Sequence, residues 1–338
     1  MLHDSGSVAR REMIAAWITM AALLLLALEF RLLPALFAGL LVYELIHVIT
    51  PRLPDTAARS GKLIAVAILA GVIVALLLAI FFAALAFFRS ESAGFHALVQ
   101  KFSQILEQSR DRLPEWLLSS LPDDTDGIKA GSAAWLRTHA SAIGLMGRHA
   151  VEGVIRVIIG MVIGALVALR EALPDKEHGP LAIALMGRAA KLAEAFGRIV
   201  FAQVRIAAIN TTLTAIYIAI VLPLFGIHLP LKTTLIVMTF VTGLLPVVGN
   251  LISNSIIVLA SFSISMHLAF VSLAFLVIVH KMEYFLNARI VGRRINADAW
   301  ELLIAMTVME AIFGLPGLVA APVYYAYVKE ELVTADLV

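Results

Sequence analysis

Apolar residues gather in runs long enough to cross a bilayer, a length of about 20 mostly apolar residues for a helix. Met13 to Phe30 and Leu33 to Ile49 are two such runs. Only Arg31 and Leu32 separate them, which predicts a tight helical hairpin. Leu63 to Phe88 carries no charge, and Val151 to Leu169 has Glu152 and Arg156 in its first turns. Ile206 to Leu231 is uncharged apart from His228. Thr233 to Val279 holds no Asp, Glu, Lys or Arg and is too long for one crossing. Leu302 to Val328 contains one acid, Glu310. These runs predict an all-α, polytopic membrane fold with about eight membrane segments. The first run continues through Glu29-Phe30-Arg31 into the second with no small-residue cleavage site, so it reads as a retained span and not as a signal peptide.

Two of the runs are interrupted. Pro246-Val247-Val248-Gly249-Asn250 breaks the long C-terminal run, and Gly314-Leu315-Pro316-Gly317 splits the last one. Proline lacks an amide N–H and glycine is conformationally loose, so both interrupt helices. In lipid the freed backbone groups must be covered by protein or by a wet cavity. Interrupted, re-entrant hairpins in one half of a membrane chain point to a transport site. The expected organisation is three helices over residues 1–89, an outward amphipathic region over 90–148, a fourth span with a cytoplasmic amphipathic helix over 149–204, and a transport region over 205–338.

Composition agrees with the pattern. Of 338 residues, 61% are hydrophobic and 15% charged, and mean hydropathy is +0.94. That is too few charges to solvate a globule of this size, which excludes an ordinary soluble enzyme. The net charge of +2 makes no case for nucleic acid, and the absence of cysteine removes disulfides and thiolate chemistry. Basic residues outnumber acids three to one over residues 50–62, five to three over 174–205 and four to three over 281–301. The positive-inside rule places these loops and both termini in the cytoplasm, and residues 90–148 outside. Phe95, Leu98, Phe102, Ile105 and Leu106 recur there at helical spacing, as interfacial helices do. Leu181, Leu185, Leu192, Phe196 and Ile199 do the same in 174–205, for the inner leaflet or a neighbouring subunit.

Polar residues inside apolar runs carry the candidate chemistry. Asn250 and Asn254 stand four apart, with Ser253 and Ser255 beside them, just after the first break. A helix N-terminus there favours a polar neutral or anionic solute. Helix–helix hydrogen bonding is the equal alternative. Asn210, Thr211 and Thr212 form a second cluster, read first as structural. Glu310 leads as a proton- or cation-coupling group, with Glu283 second; a wet subunit contact or a structural partner is the other reading of Glu310. Glu44 and His47 share a helix face and are expected to snorkel to water. No zinc pair, nucleophile elbow or phosphate-binding loop is present in the sequence, so no enzyme activity, metal or cofactor is expected.

At these breaks the sequence resembles the autoinducer-2 exporter family of bacterial permeases. The family's Ile-Pro-Tyr-Ile-Gly-Pro-like break is here Leu245-Pro246-Val247-Val248-Gly249-Asn250. Its Glu followed by Pro-x-x-x-Gly is here Glu283 and then Ala288-Arg289-Ile290-Val291-Gly292. Its closing Phe-Gly-x-x-Gly-x-x-x-Ala-x-Pro is matched by Phe313, Gly314, Gly317 and Ala321, with Pro322 one position ahead of the pattern's proline. Asn250 and Ala288 stand where the family has prolines, and Asn296-Ala297-Asp298 replaces its Leu-His-Pro. The resemblance implies a secondary transporter of the bacterial inner membrane. It exports a signal molecule or, in some members, exchanges sodium for protons, and it assembles as a homo-oligomer, a pentamer. The expected substrate site comprises Pro246, Gly249, Asn250, Ser253, Asn254, Gly314, Pro316 and Gly317. Its two hairpin tips are expected to meet from opposite faces, with the hairpin block moving in an elevator-like way against an oligomeric scaffold. The alternatives are a cation–proton antiporter worked by Glu310 or Glu283, and an oligomeric membrane scaffold acting through residues 90–148.

Overall fold

The computed structural model describes residues 4–50, 59–90, 140–171, 178–244, 248–290 and 299–337. Among these the chain is all helix, with no strand. The helices are α1 (Asp4–Glu29), α2 (Leu33–Ile49), α3 (Arg59–Ser90), α4 (Ala140–Glu171) and α5 (Pro180–Ile216). After a π turn at Tyr217–Val221 and a short helical end at Leu222–Leu224 come α6 (Lys232–Gly243), α7 (Val248–Phe262), α8 (Met266–Ile290), α9 (Ala299–Phe313) and α10 (Leu315–Thr334). Four stretches are long and apolar enough to cross a membrane: Arg11–Glu29, Val66–Ala83, Val151–Glu171 and Pro180–Leu224. Leu33–Ile49, Gly249–Phe262 and Met266–Met282 are shorter apolar helices. This is a multi-pass membrane protein. Leu98 and its neighbours, Pro246 and the Arg293-Arg294 pair lie outside the described residues.

The turn between α1 and α2 falls where the sequence predicts, and the backbone shows how. Arg31 takes a left-handed φ of 55°. Its N–H reaches the Leu28 carbonyl at 3.1 Å, and the Leu32 N–H reaches Ala27 at 2.7 Å. That pair of bonds is a Schellman end, which satisfies the last carbonyls of α1. Pro34 then sits in the first turn of α2, where its missing N–H costs nothing.

One expected boundary is wrong. The amphipathic stretch near residue 181 and the span from Ile206 are not separate elements; a single helical run covers Pro180–Leu224. At 45 residues it is about 68 Å long, over twice the bilayer's hydrocarbon thickness. Four of its five charges, Arg188, Lys191, Glu194 and Arg198, lie in the first half, and Arg205 follows. The run also stops short of Leu231. Gly226 at φ 73° makes a second Schellman end, with bonds from Gly226 to Pro223 and from Ile227 to Leu222. Before that end the helix widens: the Leu222 N–H reaches back five residues to Tyr217. The widening directly precedes Pro223, which has no N–H to continue the regular ladder.

The packing forms two compact units. The first contains residues 1–81, 150–201 and 291–338. Its core joins Met20, Leu24 and Leu28 of α1 to Leu192 and Phe196 of α5 and to Ala320, Val323, Tyr324 and Tyr327 of α10. Leu192 and Phe196 thus pack within their own chain rather than on an inner leaflet or a neighbouring subunit. α2 and α4 approach through small residues. A side chain on Gly160 would collide with the Ala35 carbonyl, and one on Gly164 with the Gly39 carbonyl. Small residues at four-residue spacing let membrane helices touch backbone to backbone.

The second unit contains residues 82–149 and 202–290. Its core draws Tyr217, Ile218 and Leu222 onto Leu235, Ile257, Ala260, Leu268 and Leu276. Tyr217 stacks on Phe275 at 4.0 Å. Its hydroxyl meets Ser272 at 2.8 Å, Ser272 meets Ser261 at 2.7 Å, and Ser261 donates to the Ile257 carbonyl. Because the Ser261 proton is committed to that carbonyl, Ser272 donates to Ser261 and Tyr217 donates to Ser272. The buried hydroxyls so satisfy one another, as membrane burial demands.

Each unit holds one of the two helical hairpins. In the first, Gly314 alone forms the break, at φ 65° and ψ −148°. Leu315, Pro316 and Gly317 are already the first turn of α10. In the second, α7 begins at Val248, so Gly249 and Asn250 are helical rather than part of the interruption. The two hairpins share a local construction. A side chain on Gly249 would strike the Thr242 carbonyl, and one on Gly317 the Met309 carbonyl. Each glycine lets the second arm lie directly on the backbone of the first.

Candidate functional site

The second unit brings together two polar clusters that stand 40 residues apart in sequence. The Asn210 carboxamide donates to Asn250 Oδ1 at 2.9 Å, and both side chains are buried. Asn210 comes from α5 and Asn250 from the first turn of α7. A second contact binds α5 to the same hairpin: the Gln203 carboxamide donates to the Gly243 carbonyl at 2.7 Å. Gly243 is the last residue of α6, where carbonyls lose their helical partners. Gln203 therefore covers a carbonyl at the end of α6. Between these contacts Ala207 packs on Gly243, its Cβ 3.3 Å from where a side chain there would begin.

Gln203, Ala207, Asn210 and Thr214 recur at intervals of four, three and four, which is one face of a helix. The face is uncharged along its length. Thr214 is 1% exposed, and its hydroxyl has no hydrogen-bond partner among the described residues. Ser253 is 2% exposed and donates weakly to the Asn250 carbonyl at 3.3 Å. Asn254 is half-buried, one turn beyond Asn250. The arrangement offers carboxamides and hydroxyls, which both donate and accept hydrogen bonds, without a fixed charge.

A family model described as AI-2E family transporter matches residues 13–334. The chain belongs to the AI-2E family of transporters. Comparison with curated proteins and with solved structures found no match.

The expected site residues of this AI-2E transporter divide between the two units. Gly314, Pro316 and Gly317 belong to the first unit and Gly249, Asn250, Ser253 and Asn254 to the second. Glu310 is exposed on α9, among the exposed apolar side chains Leu303, Ile304, Val308 and Ile312. No side chain among the described residues pairs with it. Glu283 falls on α8, and its side chain is outside the described part. Glu44 is half-buried and crowds α5, its Oε2 2.8 Å from where a side chain on Gly197 would start. His47 is exposed and stacks on Tyr43 at 5.8 Å.

Sequence reading missed a charged cluster at one end of the first unit. Glu331 of α10 is 8% exposed and accepts from Trp17 of α1 at 3.0 Å and from Lys191 of α5 at 3.4 Å. Glu330 pairs with Arg198 at 2.7 Å. Lys329 pairs with Glu301 at 2.6 Å, closing the open end of the α9–α10 hairpin. That hydrogen bond from the ammonium to Glu301 holds Lys329 above the usual lysine pKa. The signal available in sequence was the run Lys329-Glu330-Glu331 directly after an apolar helix. Its partners are 28 to 314 residues away.

Proposed function

We propose that this chain is a secondary transporter that exports a small, uncharged polar organic solute of the autoinducer-2 type, and that the Asn210–Asn250 pair is its polar contact. The observation carrying the proposal is that bond: a buried, uncharged amide pair between α5 and the first turn of α7. A solute bearing hydroxyl groups can exchange hydrogen bonds with carboxamides and with the unpartnered Thr214 hydroxyl. Its desolvation is then offset bond for bond. An ionised solute would find no countercharge on the Gln203–Thr214 face. The positive-inside pattern supports an inner-membrane location with both termini cytoplasmic. The family resemblance supports a homo-oligomer.

Proteoliposomes test the reading. Labelled autoinducer-2-type solute should exchange across the bilayer in a protein-dependent way, and Asn250→Ala should reduce that exchange at least tenfold. Exchange no faster than in empty liposomes would remove the reading. Glu310 supports a second one, cation–proton antiport, because it is an acid on an apolar helix with no side-chain partner among the described residues. A sodium step against a trapped pH dye separates the two. A protein-dependent pH change lost in Glu310→Gln would establish antiport, and a flat trace would leave solute export in place.

A further inference from the structure

The two units bury different kinds of side chain. Among the described residues, every buried Asn, Ser and Thr belongs to the second unit. The first unit brings its helices together over Gly160 and Gly164 instead. In the second, the polar residues form a seam. Asn210, Thr214 and Tyr217 share one face of α5 and the π turn that continues it. Asn250, Ser253, Ile257 and Ser261 share one face of α7. Asn210 meets Asn250 at one end. At the other, Tyr217 meets Ser272 of α8 at 2.8 Å, and Ser272 meets Ser261 at 2.7 Å. From Asn250 to Ser261 the seam follows α7 for about 16 Å, half of the bilayer's hydrocarbon thickness. Its side chains are buried, Ser261 and Ser272 completely.

Helix packing alone does not account for the middle of the seam. Thr212, Thr239, Thr242, Ser255 and Ser261 each give their hydroxyl to a carbonyl one turn back. Thr211 and Thr214 do not. Their hydroxyl oxygens are buried and have no hydrogen-bond partner among the described residues. A buried hydroxyl left so is unfavourable until another molecule bonds it. We infer that the seam is the solute's path through the second unit, opening to water in the transport cycle, and that Tyr217, Ser261 and Ser272 form a second contact station beyond the Asn210–Asn250 pair. Its ligand is a small neutral solute with several hydroxyl groups. The seam carries no charge, and its carboxamides and hydroxyls both donate and accept. Thr214 lies between the stations, four residues after Asn210 and three before Tyr217, and its hydroxyl meets the solute in passage. At the second station the solute's hydroxyls replace the Tyr217–Ser272–Ser261 bonds one for one. The inference rests on the transport reading for its ligand, whereas the opening of the seam is measured without that ligand.

The chain has no cysteine, so single-cysteine variants need no altered background. Ser261→Cys and Ser272→Cys, each in the full-length protein in proteoliposomes, are treated with methyl methanethiosulfonate. This small neutral reagent modifies a thiol where water allows the thiolate to form. Val42→Cys, equally buried in the first unit, is the control. Modification, followed by intact mass, should be at least roughly tenfold faster at both seam positions than at the control, since only a hydrated thiol ionises. Rates equal to the control would overturn the inference and make the seam helix packing. In exchange of labelled autoinducer-2-type solute, Tyr217→Phe should raise the half-saturating concentration roughly fivefold, the loss of about one hydrogen bond, with the thermal midpoint kept. An unchanged half-saturation would also overturn the second station. Should one cysteine variant fail to fold, the other and Tyr217→Phe still decide. The two readings fail separately. Unreactive cysteines in a protein that exchanges solute remove the second station and leave the Asn210–Asn250 contact. Reactive cysteines in a protein that exchanges nothing overturn the transport reading, and the station's ligand with it, while the opening of the seam stands.

Discussion

Asn250 stands where the family pattern has a proline, and the substitution changes what the position can do. Proline there has no N–H and no polar side chain, whereas Asn250 reaches across to Asn210. Interhelical hydrogen bonds in membranes contribute little to stability, about 0.6 kcal/mol on average and up to about 1.7 kcal/mol. A structural role and a transport role therefore predict different ratios of effect. Asn210→Ala and Asn250→Ala should each lower stability by about 1 kcal/mol or less, read as a small fall in thermal midpoint in detergent. Each should nevertheless cut solute exchange at least tenfold. A loss of exchange that merely tracks the stability change would make the pair a helix clamp. Thr214→Val sharpens the test. It keeps shape and removes a hydroxyl that no described residue bonds, so stability should hold or rise. Exchange should fall if the hydroxyl meets solute.

At the scale of elements, the hairpins depend on single glycines, and they do so for two distinct reasons. Gly314 has φ 65° and ψ −148°, a region that side chains rarely adopt, with open space around it. Gly314→Ala should cost about 1–3 kcal/mol through backbone strain alone. Gly317 has ordinary helical geometry, but a Cβ there would strike the Met309 carbonyl and lie 2.9 Å from the Phe313 Cβ. Gly317→Ala should separate α9 from α10 at a cost of about 1–3 kcal/mol. Gly71→Ala, on α3 with nothing within 4 Å, is the control and should leave the thermal midpoint unchanged. Much of this element pattern was legible in sequence. α2 begins and ends where its apolar run does, because Arg31-Leu32 and Pro34 mark its start. The α5 boundary was not legible. Charge along residues 188–205 reads as a loop if hydropathy alone sets helix limits, yet hydrogen bonding lets a helix continue into water. Nor did periodicity reveal that Asn210 meets Asn250. Spacing shows which residues share a face but not which face meets which.

Over the whole chain, the first unit is assembled from both ends of the sequence. Tyr324 donates to the Leu24 carbonyl at 3.1 Å, and Trp17 meets Glu331 across 314 residues. Helices α1, α2 and α5 are synthesised first and cannot bury their shared face until α10 arrives. Ala320, Val323, Tyr324 and Tyr327 then complete that core. Burial of a large side chain contributes about 1.5–3 kcal/mol in water, and within a bilayer packing and hydrogen bonding replace that driving force. The contribution is concentrated in α10 and is lost together with it. A stop after Phe313 should therefore give a chain that aggregates or is degraded on extraction, whereas a stop after Thr334 should behave as the full chain. Fluorescence-detected size exclusion distinguishes them by the monodisperse peak, lost in the first and kept in the second. A stop at Phe313 that still eluted as a single sharp peak would show that α1, α2 and α5 hold together without the C-terminal helix. The Trp17–Glu331 and Tyr324–Leu24 contacts would then be consequences of the fold and not supports of it.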